Sequence, residues 1–578
     1  MASQISKREV IYYDVSPFAA LSAVGSADNI MGFSDIPVLF LEKRVFRSIQ
    51  TCERNYTVLD GTHSAFADND GDEQIAMWSA AQSRFPSRDL PAAVTLDVRF
   101  GGLQSSPGIS FYFDRANNGY CDRLRVRWFR GNILLDDKEF NPDDTIYSCV
   151  NQVDFYDRIT VTFIRLNMPY RFLRVEAVIF GVIHFFRDNT LESLIINEGA
   201  DPTGRSIYIN STEFAINTGN TGATLSYMFL KRQPIFVRYN NEDVGVYYID
   251  RSRKYADRRY SIQAIDKIGV LDNTDEYLGG IYANAPAQEI IRDIIGGLFV
   301  PDDIDIDANL RNILVSGWIP ICRKREALAQ VALAINAVID TSRDGKIKVR
   351  GMPSQISSVI GRDRVYTTSN VDIAFPYTGI ELISHNYAIG SADDTRDLFK
   401  DTFEGEKIIK FAAPHSNYAI TNGTILEIGA NYARITSTGI DECVLRGRPF
   451  IDNQNSVVIK TEHLIEGTQE KIEKIDDGYL VNNSNAQEIA ERLYQYYSRQ
   501  EVFNGDILLD NSLDNTTAAG RMAMERICDV VTVATAFTDS IGDSGKITGQ
   551  IEKLTLNLGY KNIKARGVIR GNQHFSDA

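Results

Sequence analysis

Apolar and polar residues alternate over much of the chain with the two-residue period of half-buried strands. Leu124, Val126 and Trp128 alternate with Arg125, Arg127 and Phe129, which predicts a strand with one buried face. Runs rich in Val, Ile, Tyr, Phe and Thr, such as 93–100, 158–164 and 234–239, recur between Gly, Asn and Asp turn signals. Antiparallel, sandwich-like sheets follow from this pattern. Three stretches break into helical periodicity. Pro286 opens the first, whose stripe is Ile290, Ile291, Ile294 and Ile295 and whose stop is Gly296-Gly297. A second is predicted from Lys324 to Ile339, with Leu328, Val331, Ala332, Ile335 and Val338 on one face. It is followed by an Asp344-Gly345 turn and a strand over 346–350. The third starts after Asn485, read as a cap with Glu488 reaching back, and lines up Ile489, Ala490, Leu493 and Tyr497. The fold class expected is mainly β with α+β parts, in several domains.

With 578 residues the chain exceeds what one core serves, so roughly three to five domains are expected. A hydrophobic share of 44% and a charged share of 24% fit globular protein rather than disorder. The net charge of -15 argues against general binding to nucleic acid, which needs cations to displace phosphate counterions. The basic tract Arg251, Arg253, Lys254, Arg258 and Arg259 lies between two β-like runs and reads as a solvated strand edge. The first residues run straight into the strand-like 10–13 without the apolar stretch of a signal peptide. The apolar tract 175–186 is too short to cross a bilayer as a helix. Synthesis in the cytoplasm and no membrane insertion are expected.

Catalytic signatures are absent: no HExxH, no GxSxG, no Walker loop, and no glycine-rich turn in a dinucleotide-binding context. The six cysteines are scattered without CxxC, and the six histidines are isolated, so neither metal nor cofactor is expected. Asp68, Asp70 and Asp72 resemble the first half of a calcium loop, but Ser79 stands where the distal Glu belongs, which favours a solvated turn. The alternating acids of 301–307 read as an exposed strand.

From Phe186 onward the order of segments resembles the baseplate hub and tail-tip proteins of phage tails. Residues 198–216 look like early barrel strands, and 245–250 with 260–269 like the strands that close that barrel. Val315–Pro320, Arg325–Ala337 and Asp344–Ile347 repeat the strand, helix, Asp-Gly turn, strand order of the family's α/β domain. Ala490–Tyr497, Ile547–Leu558 and Ala565–Gly571 complete it. The resemblance implies a structural, non-enzymatic homotrimer in the virion tail. Its partners would be tail tube or distal tail proteins and a spike or tip protein, and DNA would only pass through its channel.

Residues 61–181 look like an inserted carbohydrate-binding module of discoidin-like, jelly-roll type, marked by 91–96, 108–114, 122–132, 156–163 and 174–181. The expected domains are 1–60 and 182–275 for a first β-barrel, 61–181 for the insertion, and 276–355 for the α/β part. Residues 356–480 would form a second β-rich domain, and 481–578 a helix with the C-terminal strands. Such sandwiches hold sugars in loops at one end, through aromatic stacking and hydroxyl bonds. The candidate glycan contacts are Trp78, Asn117, Asn118, Tyr120, Arg130 and Asn132, with Trp128 placed in the core. A glycan-binding tail adhesin is the alternative reading; a tail-associated cell-wall hydrolase is a third, without a recognisable catalytic segment.

Overall fold

A computed structural model describes residues 8–15, 19–40, 51, 53, 75–218, 232–239, 242–299, 301–373, 377–461, 469–508, 526–538, 544–559 and 563–574. The Asp68, Asp70 and Asp72 loop, His63, His463 and Cys52 lie outside these residues. The chain is mainly β and multidomain, and its contacts divide it into two compact units.

The smaller unit is built from Val10–Phe186 with 218–235. Its core is a seven-stranded antiparallel sheet in the order Met77–Trp78, Arg174–Ile179, Asp89–Phe113, Ile146–Leu166, Cys121–Arg130, Ile133–Phe140, with Ala23–Asp28 pairing Asp89–Phe113. The two longest strands change neighbours along their length. Val94–Arg99 lies between 158–163 and 24–28, whereas Ser110–Tyr112 lies between 146–148 and 177–179. The sheet therefore doubles over, and residues far apart in register face each other. Phe111, paired with Tyr147 on its own ladder, packs edge-on against Phe163 at 5.6 Å. Trp128, Phe111, Phe113, Phe163 and Tyr156 are fully buried between the two halves. The sheet also draws on residues before 61, where the insertion was expected to begin. Ala23–Asp28 belongs to this sheet and Glu53 is buried against Arg174, so the unit starts upstream of it.

The larger unit is built from 1–9, Arg187–Asn217 and Phe236–Ala578. A curled sheet runs through it in the order Asn370–Ile373, Glu501–Leu508, Ile563–His574, Ser544–Leu558, Leu191–Gly199, Ser211–Asn217, Arg259–Ile265, Glu242–Ala256. Ser544–Leu558 is its common member. Its first half pairs with Val530–Thr538 and its second half, past a bulge near Ile551, with Leu191–Gly199. Ile356–Ile360 adds in parallel to Val530–Thr538. Residues 356–373 thus join the C-terminal strands rather than the β-rich segment that follows them, where the sequence-based boundary had placed them.

Between these strands lies the α/β part. Helix Ala287–Ile295 buries its predicted isoleucine stripe and stops at Gly296, whose φ of 66° suits a residue without a Cβ. The second helix covers only Lys324–Ala334, shorter than predicted. Asn336 turns the backbone at φ 54°, and Ala337–Asp340 becomes a strand against Lys348–Gly351, with Ile304–Ile306 parallel on the other side. Helix Ala486–Tyr497 matches its prediction in place, but Asn485 does not cap it with its side chain. That side chain instead ties Ala334 O (3.1 Å) and the Asn482 N–H (2.8 Å), and Glu488 accepts from Asn336. The helix packs on a sheet of Gly379–Ile389 and Cys443–Lys460. The basic tract is the solvated end of a hairpin, where Arg259 pairs with Glu192 at 3.0 Å.

Candidate functional site

Three loops meet at one end of the doubled-over sheet, and their backbones are fastened to one another by side chains. In the loop after Asp89–Phe113, the Asp114 carboxylate accepts from the Asn117 backbone (3.2 Å) and side chain (3.0 Å), and Gly119 N–H donates to Asp114 O (3.0 Å). Asn118 completes the reversal at φ 51°, a conformation Asn tolerates better than most residues. Asn167 sews the second loop to the first: its Oδ1 accepts from Tyr120 N–H (3.0 Å) and its Nδ2 donates to Asn118 O (2.8 Å). Ser83 sews in the third, accepting from Tyr170 N–H (3.0 Å) and, through Oγ, from Arg171 N–H (3.2 Å).

Below the loops sits Arg174. Its guanidinium lies 4.0 Å from the Trp78 ring centroid, is paired with Glu53, and is 3.4 Å from Asp114. Arg174, Glu53 and Asp114 are all buried. A cation between an aromatic face and two carboxylates is well compensated, and the arrangement fixes Asp114 and hence the Asn117 turn. Above it opens a shallow groove whose enclosed volume, about 10 Å³, is room for about one water molecule, lined by Asp114, Asn117, Gly119, Tyr120, Leu166, Asn167, Arg171, Phe172, Leu173 and Arg174. The exposed rings of Phe85 and of Tyr170, the residue preceding Arg171 in the chain, stack with planes 5° apart. Glu176, held at 2.7 Å by Arg115, has its carboxyl pushed above the usual range by burial.

Of the six candidate contacts, Asn117 and Tyr120 line this groove, and Asn118 lies between them in the chain with its carbonyl bonded by Asn167. Trp78 does not line it: as half of the two-residue strand Met77–Trp78, paired with Arg174–Val175, it is buried and covered by Arg174. Arg130 and Asn132 flank the turn at Gly131 beyond the far end of Cys121–Arg130. At about 3.3 Å per residue that turn is roughly 30 Å from Tyr120, so the two are exposed but belong to another end of the sheet. Sequence reasoning missed Asn167, Arg171, Phe85 and Tyr170, all in turn segments without periodicity.

No protein-family model matches the chain, and no curated protein matches it. Solved structures similar to it include the tail protein from Neisseria meningitidis MC58 (TM-score 0.42, 11% identity, 67% of this chain and 93% of that one). A 43 kDa tail protein of prophage MuSo2 from Shewanella oneidensis gives a TM-score of 0.39 at 10% identity, over 67% of this chain and 96% of its own. A type VI secretion system component of E. coli, described as structurally similar to T4 bacteriophage tail proteins gp27 and gp5, gives 0.30 at 7% identity, over 67% and 74%.

Elsewhere the titratable residues have structural surroundings. His184 is half-buried and stacked on Tyr12, and its loss of solvent lowers its pKa to about 4; His385 pairs with Asp452 at 2.7 Å; His415 Nδ1 meets Ala413 O at 2.8 Å. Among the described residues no three His, Cys, Asp or Glu side chains gather as a metal site, and no helix is long and apolar enough to cross a membrane. Cys121, Cys149, Cys443 and Cys528 are buried thiols, and burial raises the pKa of each, the opposite of what a reactive thiolate needs.

Proposed function

We propose that the protein is a structural, non-enzymatic hub of a phage-type tail, a homotrimer that joins the tail tube to the spike or tip and touches cell-wall glycans through its smaller unit. One observation carries the reading. The order of segments on which the resemblance rests is realised as continuous architecture: strands 191–265 and 544–558 share one curled sheet, and the helix, strand, turn, strand piece of 324–351 folds between them. The separateness of the smaller unit and its groove favour glycan contact as part of the same role. Tube proteins, spike and passing DNA are the partners that role requires, and the virion tail is its place.

The test is stoichiometry and position. Light scattering should give three copies of the 64.8 kDa chain per particle, and labelled chain should map to the tail tip in electron micrographs. A monomer absent from assembled tails refutes the hub reading.

A further inference from the structure

Phe85 is 66% exposed and Tyr170 38% exposed, yet the two rings are held parallel with centroids 5.9 Å apart. Tyr170 has φ 58°, and a left-handed backbone costs a bulky residue about 1–2 kcal/mol. Its N–H and that of Arg171 are spent on Ser83, so the loop is locked in that conformation. The fold thus tolerates backbone strain at a residue whose ring is left in water, the reverse of what packing would select. One residue on, Arg171 lines the groove with Tyr120 and Asn117.

We propose that Phe85 and Tyr170 are a stacking platform for pyranose rings, with Arg171 and Tyr120 bonding the sugar hydroxyls. This rests on the glycan-contact part of the proposed function and names its site and ligand class. Flat apolar rings beside hydrogen-bonding side chains match a sugar, which presents C–H groups on its faces and hydroxyls at its rim. Sugars with all-equatorial hydroxyls, of gluco configuration, have the flattest faces and fit best. An extended peptide would need free backbone groups to pair with, and those of 170–171 are engaged by Ser83.

The experiment is isothermal titration of the full chain with cellohexaose and with chitohexaose, beside the variants F85A, Y170A, the double variant, F85Y and N132A, each checked by circular dichroism. Binding of at least one hexasaccharide is expected. It should weaken about three- to tenfold in each single alanine variant, the loss of one stacked ring, and vanish in the double. F85Y should retain binding, and N132A, at the far end, should leave it unchanged. Full-strength binding by the double variant overturns the platform while leaving glycan contact standing. Binding of neither sugar by the parent overturns both, and tail assembly is scored separately. Retention of neither sugar but of a decaproline peptide, lost in F85A, also overturns it and assigns the rings to a peptide.

Discussion

Replacing Glu53 with Gln removes one charge from a buried cluster and nothing else. The Glu53 side chain has no solvent exposure and Arg174 has 6%. Besides Arg174, the carboxylate accepts from Phe172 N–H at 2.7 Å and Thr51 Oγ at 2.6 Å. Breaking a buried ion pair on one side costs about 3–5 kcal/mol when the remaining charge is left alone. Here Asp114 at 3.4 Å and the Trp78 face at 4.0 Å keep part of the compensation, and Gln still accepts from Phe172. A loss of about 2–3 kcal/mol follows. In a unit of this size each kcal/mol moves the melting temperature by about 2–4 °C, so a shift of about 4–12 °C is expected. Calorimetry should confine it to the transition of the smaller unit. The paired change E53L/R174M should cost less than R174M alone, because R174M strands two buried carboxylates and the pair leaves only Asp114. A loss under about 0.5 kcal/mol in E53Q, or equal losses for R174M and the paired change, refutes the claim that the pair is buried and coupled.

Three further outcomes are expected. W128A should destabilise the smaller unit by about 3–5 kcal/mol in urea unfolding, and W128F should cost much less, since the indole N–H is buried without an acceptor among the described residues. Asp266, fully buried, has its pKa raised to about 6 by burial, although Gly269 N–H, Asn210 N–H and Thr341 Oγ all donate to it. The folded state therefore holds the proton longer than the unfolded one, and this term favours folding at pH below about 4 and is lost as pH rises to about 6; D266N should flatten that decline in the larger unit, as read by melting temperature against pH. Finally, G571A should destabilise the larger unit and slow recovery from urea, because a Cβ there runs into the Thr548 carbonyl of the paired strand.

The fold was legible where one face of an element is buried. Strand 121–130 shows its buried set as Leu124, Val126 and Trp128, and helix 287–295 shows four isoleucines and its glycine stop. It was not legible where burial is two-sided: Ala337, Val338, Ile339 and Asp340 are all buried, so the apolar run continued the helical stripe and hid the reversal at Asn336. The site divided in the same way. Asn117 and Tyr120 are close in sequence and line the same groove. Arg130 and Asn132 looked like their neighbours only because a strand of ten residues was not counted as length. The burial of Trp78 was not legible because its cover, Arg174, comes from a partner strand nearly a hundred positions away, and the Phe85–Tyr170 pair was missed for the same reason.

The strand Ser544–Leu558 carries a consequence for the order of events during synthesis. Ile195 pairs with Asn557, about 360 residues later. Ribosomes add about 5–20 residues per second, so the Leu191–Gly199 edge waits roughly 20–70 s for the strand that covers it. During that interval the nascent chain presents an open ladder of backbone donors and acceptors. Crowded polysomes making this chain are thus exposed to edge-to-edge pairing between neighbours, and a slower passage through the 218–540 region would lengthen the exposure. Soluble yield should fall as expression rate rises, and should recover when a peptide spanning 544–558 is supplied in trans.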